Sequence, residues 1–399
     1  MEKRNMTDII GKSFIEEFKD RIRRLQSLLR ENHTDALIVG TNANTYYLSG
    51  KVINGYIYVP LEGNPLFFVR RPKGLSGDGV FYIRKPEEIP GILKSSGMAV
   101  PERIALEWET MTHSSFVRLS SCFPETEMVD GSPFLKNCRA VKSPYEISLL
   151  YGSAAKHSRM YSHIRDVYRK GMTDVELSIG IEQVARSLGS LGIFRIAGPS
   201  MEIFMGSVLA GDNADAPSPY DFALGGAGQD PSLPVGADGT ELKEGTTVMV
   251  DMGGNFTGYM TDMSRVFSIG EVRDTAALKG HRLSIDIQEA LCERARPGIG
   301  AAELYAKARK MVEKENMASY FMGHSQQAGF IGHGVGIEIN ELPVLSPRSK
   351  DIIVEGMTFA MEPKFVIPGI GAVGTENTYV MRSSGLERMT DFDQDIQIL

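Results

Sequence analysis

The chain has 399 residues, room for two or three domains and a sizeable core. Hydrophobic residues make up 42% and charged residues 23%, which argues against a disordered polyelectrolyte. With 50 acidic against 43 basic side chains and a net charge of -7, no summed positive field exists to draw in a phosphate backbone, so nucleic acid is not expected as a partner.

Three scattered cysteines, Cys122, Cys138 and Cys292, form no CxxC, which argues against a disulfide framework or a thiolate metal site and for a reducing compartment. The opening MEKRNMTDII lacks the apolar core of a signal peptide, and no run approaches the roughly 18 apolar residues of a membrane span. The expected location is the cytoplasm, with no membrane partner.

In chain order, Phe14, Phe18, Ile22, Leu25 and Leu29 recur at helical steps, and Ser13 with Glu16 reads as a capping box for a helix over 13–30. Arg21, Arg23 and Arg24 are assigned to its solvated face, beside Glu16, Glu17 and Asp20. Strand-like runs follow at 36–39, 56–60 and 66–70, the last two joined by a turn in LEGNP, and a further run lies at 104–106. Ser143, Pro144 and Glu146 then open a long helix expected to reach Tyr168. A domain boundary is placed just before it, giving units 1–141 and 142–399. Thr173 and Glu176 open a helix to Leu188, and others are expected near 275–294 and 301–315, intermixed with antiparallel strands in an α+β arrangement.

The 42 glycines exceed the about 28 expected at average usage and cluster in the second half. Residues 246–262, TTVMVDMGGNFTGYMTD, read as a hairpin in which Asp251 falls roughly opposite Asp262, with Cβ atoms about 4.5–5.5 Å apart. Residues 357–381 repeat the arrangement: reflection about Gly369 maps Glu362 onto Glu376. Each element is otherwise apolar, so four carboxylates would be buried together. That persists only when a cation neutralises them. His333, in IGHGVG, adds a nitrogen donor whose glycine neighbours allow close backbone approach. Four carboxylates and one imidazole balance two divalent cations, with Mn, Fe, Co or Zn the chemically suited metals.

Asp251, Asp262, His333, Glu362 and Glu376, in that order, resemble the ligand set of the pita-bread metallopeptidases, which include Xaa-Pro aminopeptidase, prolidase and methionine aminopeptidase. Supporting matches are Gly258-Tyr259, Ser264-Arg265, GHGVG around His333, Glu341 with Pro343, and Glu362-Pro363. The resemblance covers essentially the whole chain and is closest to the two-domain creatinase and prolidase branch. It implies a creatinase-like N-terminal α/β domain followed by a pita-bread catalytic domain, and a homodimer. By the resemblance, Asp251 would hold the first metal, His333 and Glu362 the second, and Asp262 and Glu376 would bridge both. The implied reaction is cleavage of the peptide bond before proline in a small Xaa-Pro peptide by a metal-bridging hydroxide, with Glu362 moving the proton.

The sequence departs from the family at two points. Seven positions after His333 stands Asn340 in place of a histidine, and the upstream family histidine has no counterpart near Leu233–Val235. An amide donates a hydrogen bond but does not titrate near neutrality. His324 is the candidate replacement. Taken singly, Asp251 and Asp262 read as turn residues and His333 as a structural histidine; the five together outweigh that explanation. His33, His113, His157, His163 and His281 are assigned surface or packing roles, and Tyr259 and Arg265 support the hairpin. Two alternatives stay open: a metal-dependent hydrolase or lyase of a small zwitterionic metabolite, and a non-catalytic binding module on the same fold.

Overall fold

The computed structural model describes residues 8–198 and 201–399. The chain divides into two units, one ending at Arg139 and the other running from Ala140 to Leu399.

The first unit is built on a six-stranded mixed sheet of β1 (Ala36–Val39), β2 (Asn54–Pro60), β3 (Leu66–Arg71), β4 (Val80–Tyr82), β5 (Arg103–Leu106) and β6 (Glu127–Asp130), in the order β4-β3-β2-β1-β5-β6. The LEGNP turn joins β2 to β3 in antiparallel register, while β1, β5 and β6 run parallel. Two readings of the first helix need correction. It spans Ile15–Glu31, entered through a 3-10 turn at Lys12–Phe14, and Phe14 caps it without a side-chain bond. The expected box does not form, because the 3-10 turn takes up Ser13 and puts Phe14 at the cap, and Glu16 instead accepts from Lys19 at 2.8 Å. Arg21 is buried, not solvated: it bonds Glu17 at 2.7 Å, donates to the Tyr47 carbonyl and stacks 4.2 Å from the Tyr47 ring centre. A guanidinium can lie inside because its face is weakly hydrated and stacks on a ring while its edge donates to a carboxylate and a carbonyl.

In the second unit the long helix covers Pro144–Ser162 and carries the Ser143/Glu146 box, but it breaks at His163 before a short turn at Ile164–Val167. Helix Asp174–Ser187 carries the Thr173/Glu176 box. Three sheets follow. One contains β7 (Gly206–Ala210), β8 (Thr247–Asn255), β9 (Met260–Ser268) and, as a parallel edge, β17 (Gln397–Ile398). The second has the order β11-β10-β12-β15-β16, from β10 (Gly332–Gly334), β11 (Glu341–Val344), β12 (Thr358–Met361), β15 (Asn377–Arg382) and β16 (Gly385–Arg388). The third is the pair β13 (Lys364–Ile367) and β14 (Gly371–Gly374).

Helices Thr275–Arg294 and Ala301–Lys314 bury Leu283, Ile287, Leu291, Leu304 and Val312 against Phe359, Phe365 and Val373 of the second and third sheets. On the other side, Leu177, Ile181 and Tyr161 pack on Val250, Met263 and Phe267. The carboxylate-bearing strands are therefore held between two apolar layers. No helix among the described residues is long and apolar enough to cross a membrane.

Candidate metal centre

The first hairpin forms with a shifted register. Asp251 lies opposite Ser264 and Asp262 opposite Gly253, so the two aspartates are diagonal rather than directly paired. They still share a face, because side chains alternate and the offset is two residues. The turn occupies Phe256–Tyr259, with Gly258 at a φ of 90°. It is tied to the long helix by Thr257 Oγ1, which donates to the Leu149 carbonyl at 3.0 Å, and by Ser153 Oγ, which donates to the Tyr259 carbonyl at 2.6 Å.

The second hairpin keeps the expected reflection throughout. Met361 pairs with Asn377 in one sheet and Lys364 with Gly374 in the next. Glu362 and Glu376 sit at the point where the chain crosses between those sheets. There the Glu376 N–H reaches the Ser264 carbonyl at 3.2 Å and the Glu362 N–H the Ile331 carbonyl at 2.9 Å. His333 lies at the middle of β10, sandwiched between β11 and β12. A Cβ on Gly332 would fall 2.2 Å from the Ala360 carbonyl oxygen, and one on Gly334 2.1 Å from that of Leu342, so only glycine fits on either side of the imidazole.

The five side chains converge. Donor atoms of Asp262, His333 and Glu376 lie within 4.8 Å of one another, as do those of Asp251, Glu362 and Glu376. His333 Nδ1 bonds the Gly334 carbonyl at 3.2 Å, leaving Nε2 directed at Glu362 Oε1 (3.4 Å) and Asp262 Oδ2 (3.7 Å). A neutral imidazole held that way presents a lone pair to two anions and requires a cation or a proton between them. Glu376 Oε1 is buried without a hydrogen-bond partner, while Ser264 Oγ donates to Oε2 at 2.5 Å. An orphaned carboxylate oxygen in a cluster that also holds an imidazole lone pair suits a divalent cation.

Protonation follows the same crowding. Burial, then the charge of Asp251, pushes the Asp262 carboxyl up to about 7. Burial and the charges of Asp262 and Glu362 push Glu376 upward as well. Burial also works against the ionised form of Glu362, but Lys364 and His333 overcome it and hold that carboxyl at about 2. Desolvation opposes the charged imidazole of His333, yet Glu362 and Asp262 raise it to about 9.

Lys364 was not anticipated from the sequence. Its side chain is fully buried, and Nζ donates to Asp251 Oδ2 at 2.7 Å, Glu362 Oε2 at 2.7 Å and Glu376 Oε2 at 3.1 Å. The signal was present: Glu362 and Lys364 are two residues apart on an extended run and so share a face.

The remaining candidates separate. Asn340 borders the same cavity, but its Oδ1 accepts from the Ala197 N–H at 2.7 Å and its Nδ2 donates to the Ala197 carbonyl at 2.8 Å. It holds the 195–197 segment in place instead of presenting an uncommitted amide. His324 is not brought to the cluster: Nδ1 faces Asp215 Oδ2 at 3.1 Å, and the ring lies 5.8 Å from that of Tyr320. Asp215 also binds Ser325, which fixes the His324 loop away from the carboxylates. Arg265 and Tyr259 are structural, Tyr259 donating to Glu146 at 2.8 Å.

The centre opens into a cavity of about 310 Å³ whose apolar wall includes Phe194, Phe222, Phe330 and Ile339, with Asp221 also in its lining. Phe194 approaches so closely that a Cβ on Gly253 would lie 2.3 Å from its ring.

The chain is 24% identical over 385 residues to an Xaa-Pro dipeptidase of Pyrococcus furiosus, covering 95% of this chain and 99% of that protein. Among solved structures it superposes on an Xaa-Pro dipeptidase from Bacillus anthracis with a TM-score of 0.78 at 22% identity, covering 96% of this chain and 100% of the other. An X-Pro aminopeptidase from Thermotoga maritima gives 0.76 at 23% identity, with 95% and 99% covered. These likenesses show the two-domain fold. Residues 21–141 match the creatinase/prolidase N-terminal domain. The metallopeptidase pattern spans residues 149–383, which include both hairpins, His333 and more than half of the chain, and by that match the protein belongs to metallopeptidase family M24.

Proposed function

We propose that the chain is a metal-dependent Xaa-Pro peptidase whose metal centre is built from the cluster of Asp251, Asp262, His333, Glu362 and Glu376. The supporting observation is the convergence of these five side chains from three strands and two strand junctions onto one cluster beside an apolar cavity. The dipeptidase and aminopeptidase relatives support the substrate class.

A bound divalent cation, with Mn, Co, Fe or Zn chemically suited, supplies Lewis acidity for the scissile carbonyl and acidifies water. The chain's own residues do the rest. Glu362, kept ionised by its neighbours, takes the proton from the attacking water and passes it to the departing nitrogen. His333, oriented by the Gly334 carbonyl, directs Nε2 toward the reacting region. Phe194, Phe222 and Phe330 offer the flat apolar surface a proline ring needs and exclude water around it. Asp221 provides a negative charge suited to the free amino group of the preceding residue.

The test is turnover of a Gly-Pro dipeptide and of a longer Xaa-Pro peptide, measured after chelation and again after reconstitution with each metal. Chelation should abolish hydrolysis and at least one metal should restore it. Undiminished turnover in the chelated protein would refute the reading. Preference for a small zwitterionic amide over both peptides would transfer it to metabolite hydrolysis.

A further inference from the structure

Lys364 bears on how many ions the centre accepts. Its three ammonium protons face three carboxylates, and these are Asp251, Glu362 and Glu376, one of the two triads able to surround a cation. A metal bound to the same oxygens at about 2.0–2.2 Å would overlap the nitrogen and face a like charge. The lysine has little room to withdraw. Its side chain is fully buried, its backbone is paired to Gly374, and its carbonyl accepts from the Met322 N–H at 2.8 Å.

The other triad meets the ammonium through one oxygen of Glu376 alone. Asp262 and His333 make no contact with Nζ, and Glu376 offers it Oε2 while Oε1 stays unpartnered. We propose that Lys364 Nζ permanently fills one of two cation positions, so that the centre holds a single divalent ion on Asp262, His333 and Glu376. The proposal rests on the metallopeptidase reading and departs from the two-ion stoichiometry that the ligand set alone implies. The ammonium neutralises and aligns Asp251 and Glu362 as an ion would, but offers no open coordination position to substrate or water.

The experiment is metal counting on the full chain loaded with excess Mn(II) and desalted, combined with electron paramagnetic resonance. The unaltered protein should retain about one ion per chain and give the six-line signal of an isolated Mn(II). Lys364→Gly, which removes the ammonium and leaves the carboxylates, should retain about two and show a spin-coupled multiline signal. Lys364→Ser serves if the glycine variant does not fold, and the count on the unaltered protein stands without either. Two coupled ions in the unaltered protein would overturn the proposal, as would one ion in both forms, since the lysine would then not be what excludes the second. No bound ion together with chelator-resistant peptide hydrolysis would instead sink the metallopeptidase reading itself.

Discussion

Arg265 and Lys364 are both fully buried cations beside Glu376, and they are satisfied in opposite ways. Arg265 spends five donor contacts on neutral acceptors: the carbonyls of Ser264, Glu376, Phe392 and Asp393 and the amide oxygen of Asn377, all within 2.7–2.9 Å. Its environment disfavours charge, and burial lowers its pKa to about 10. Lys364 meets three carboxylates, whose attraction more than offsets the desolvation of its ammonium and raises its pKa. The first cation is an architectural clamp that ties β9, β15 and the C-terminal segment together. The second neutralises a cluster that would otherwise fly apart. In this pair the acceptors separate the roles: neutral oxygens surround the scaffold cation and three carboxylates the one at the site.

The contrast can be broken most directly at Arg265. Arg265→Ala leaves five acceptors unpaired, and the unfolding free energy in urea should fall by about 3–5 kcal/mol, with no recovery on adding Mn(II). A loss under about 1 kcal/mol would deny the clamp. Lys364→Gly should lose about 3 kcal/mol in metal-free buffer, because the buried Glu362 and Glu376 and the partly buried Asp251 lose their counter-charge, but saturating Mn(II) should restore most of it. Rescue of one variant and not of the other is the measurement that separates clamp from site.

His157 sharpens the comparison toward neutrality. It is fully buried, its Nδ1 meets only the Thr261 hydroxyl at 3.0 Å, and burial lowers its pKa to about 3. In the unfolded chain the imidazole titrates near about 6.5. Between these values the unfolded state binds the additional proton, so this contribution is complete above about pH 6.5 and is lost as pH falls toward 3. His157→Gln should therefore flatten the acid limb of stability against pH by up to about 1.4 kcal/mol per pH unit, measured as the difference from the unaltered protein. Parallel curves would show that the imidazole is charged in the fold.

The smallest effect concerns Asn340. Because its amide is committed to Ala197, Asn340→Ala should raise KM for an Xaa-Pro peptide by about tenfold while kcat changes less than about threefold. An equal fall in kcat and kcat/KM would make it a transition-state donor instead.

Local chemistry made much of this molecule legible. The Ser143/Glu146 and Thr173/Glu176 boxes were readable because a cap is a contact among four neighbouring residues. The second hairpin's register could be read because the short turn at Pro368–Gly371 leaves little freedom. The first was displaced because Gly253, Gly254, Asn255 and Gly258 permit several turns, and packing against Leu149 and Ser153 selects one.

What the sequence determined by itself was the identity and order of the chemistry-bearing side chains and the face of each strand on which they stand. These follow from residue type and a period of two. The tertiary structure decided what meets what across hundreds of residues: Lys364 among three carboxylates, Arg21 beneath Tyr47, His324 held by Asp215, and Asn340 locked to Ala197. Burial converts an ordinary surface residue type into a buried counter-charge or clamp, and burial belongs to the packed whole and not to any local stretch of chain.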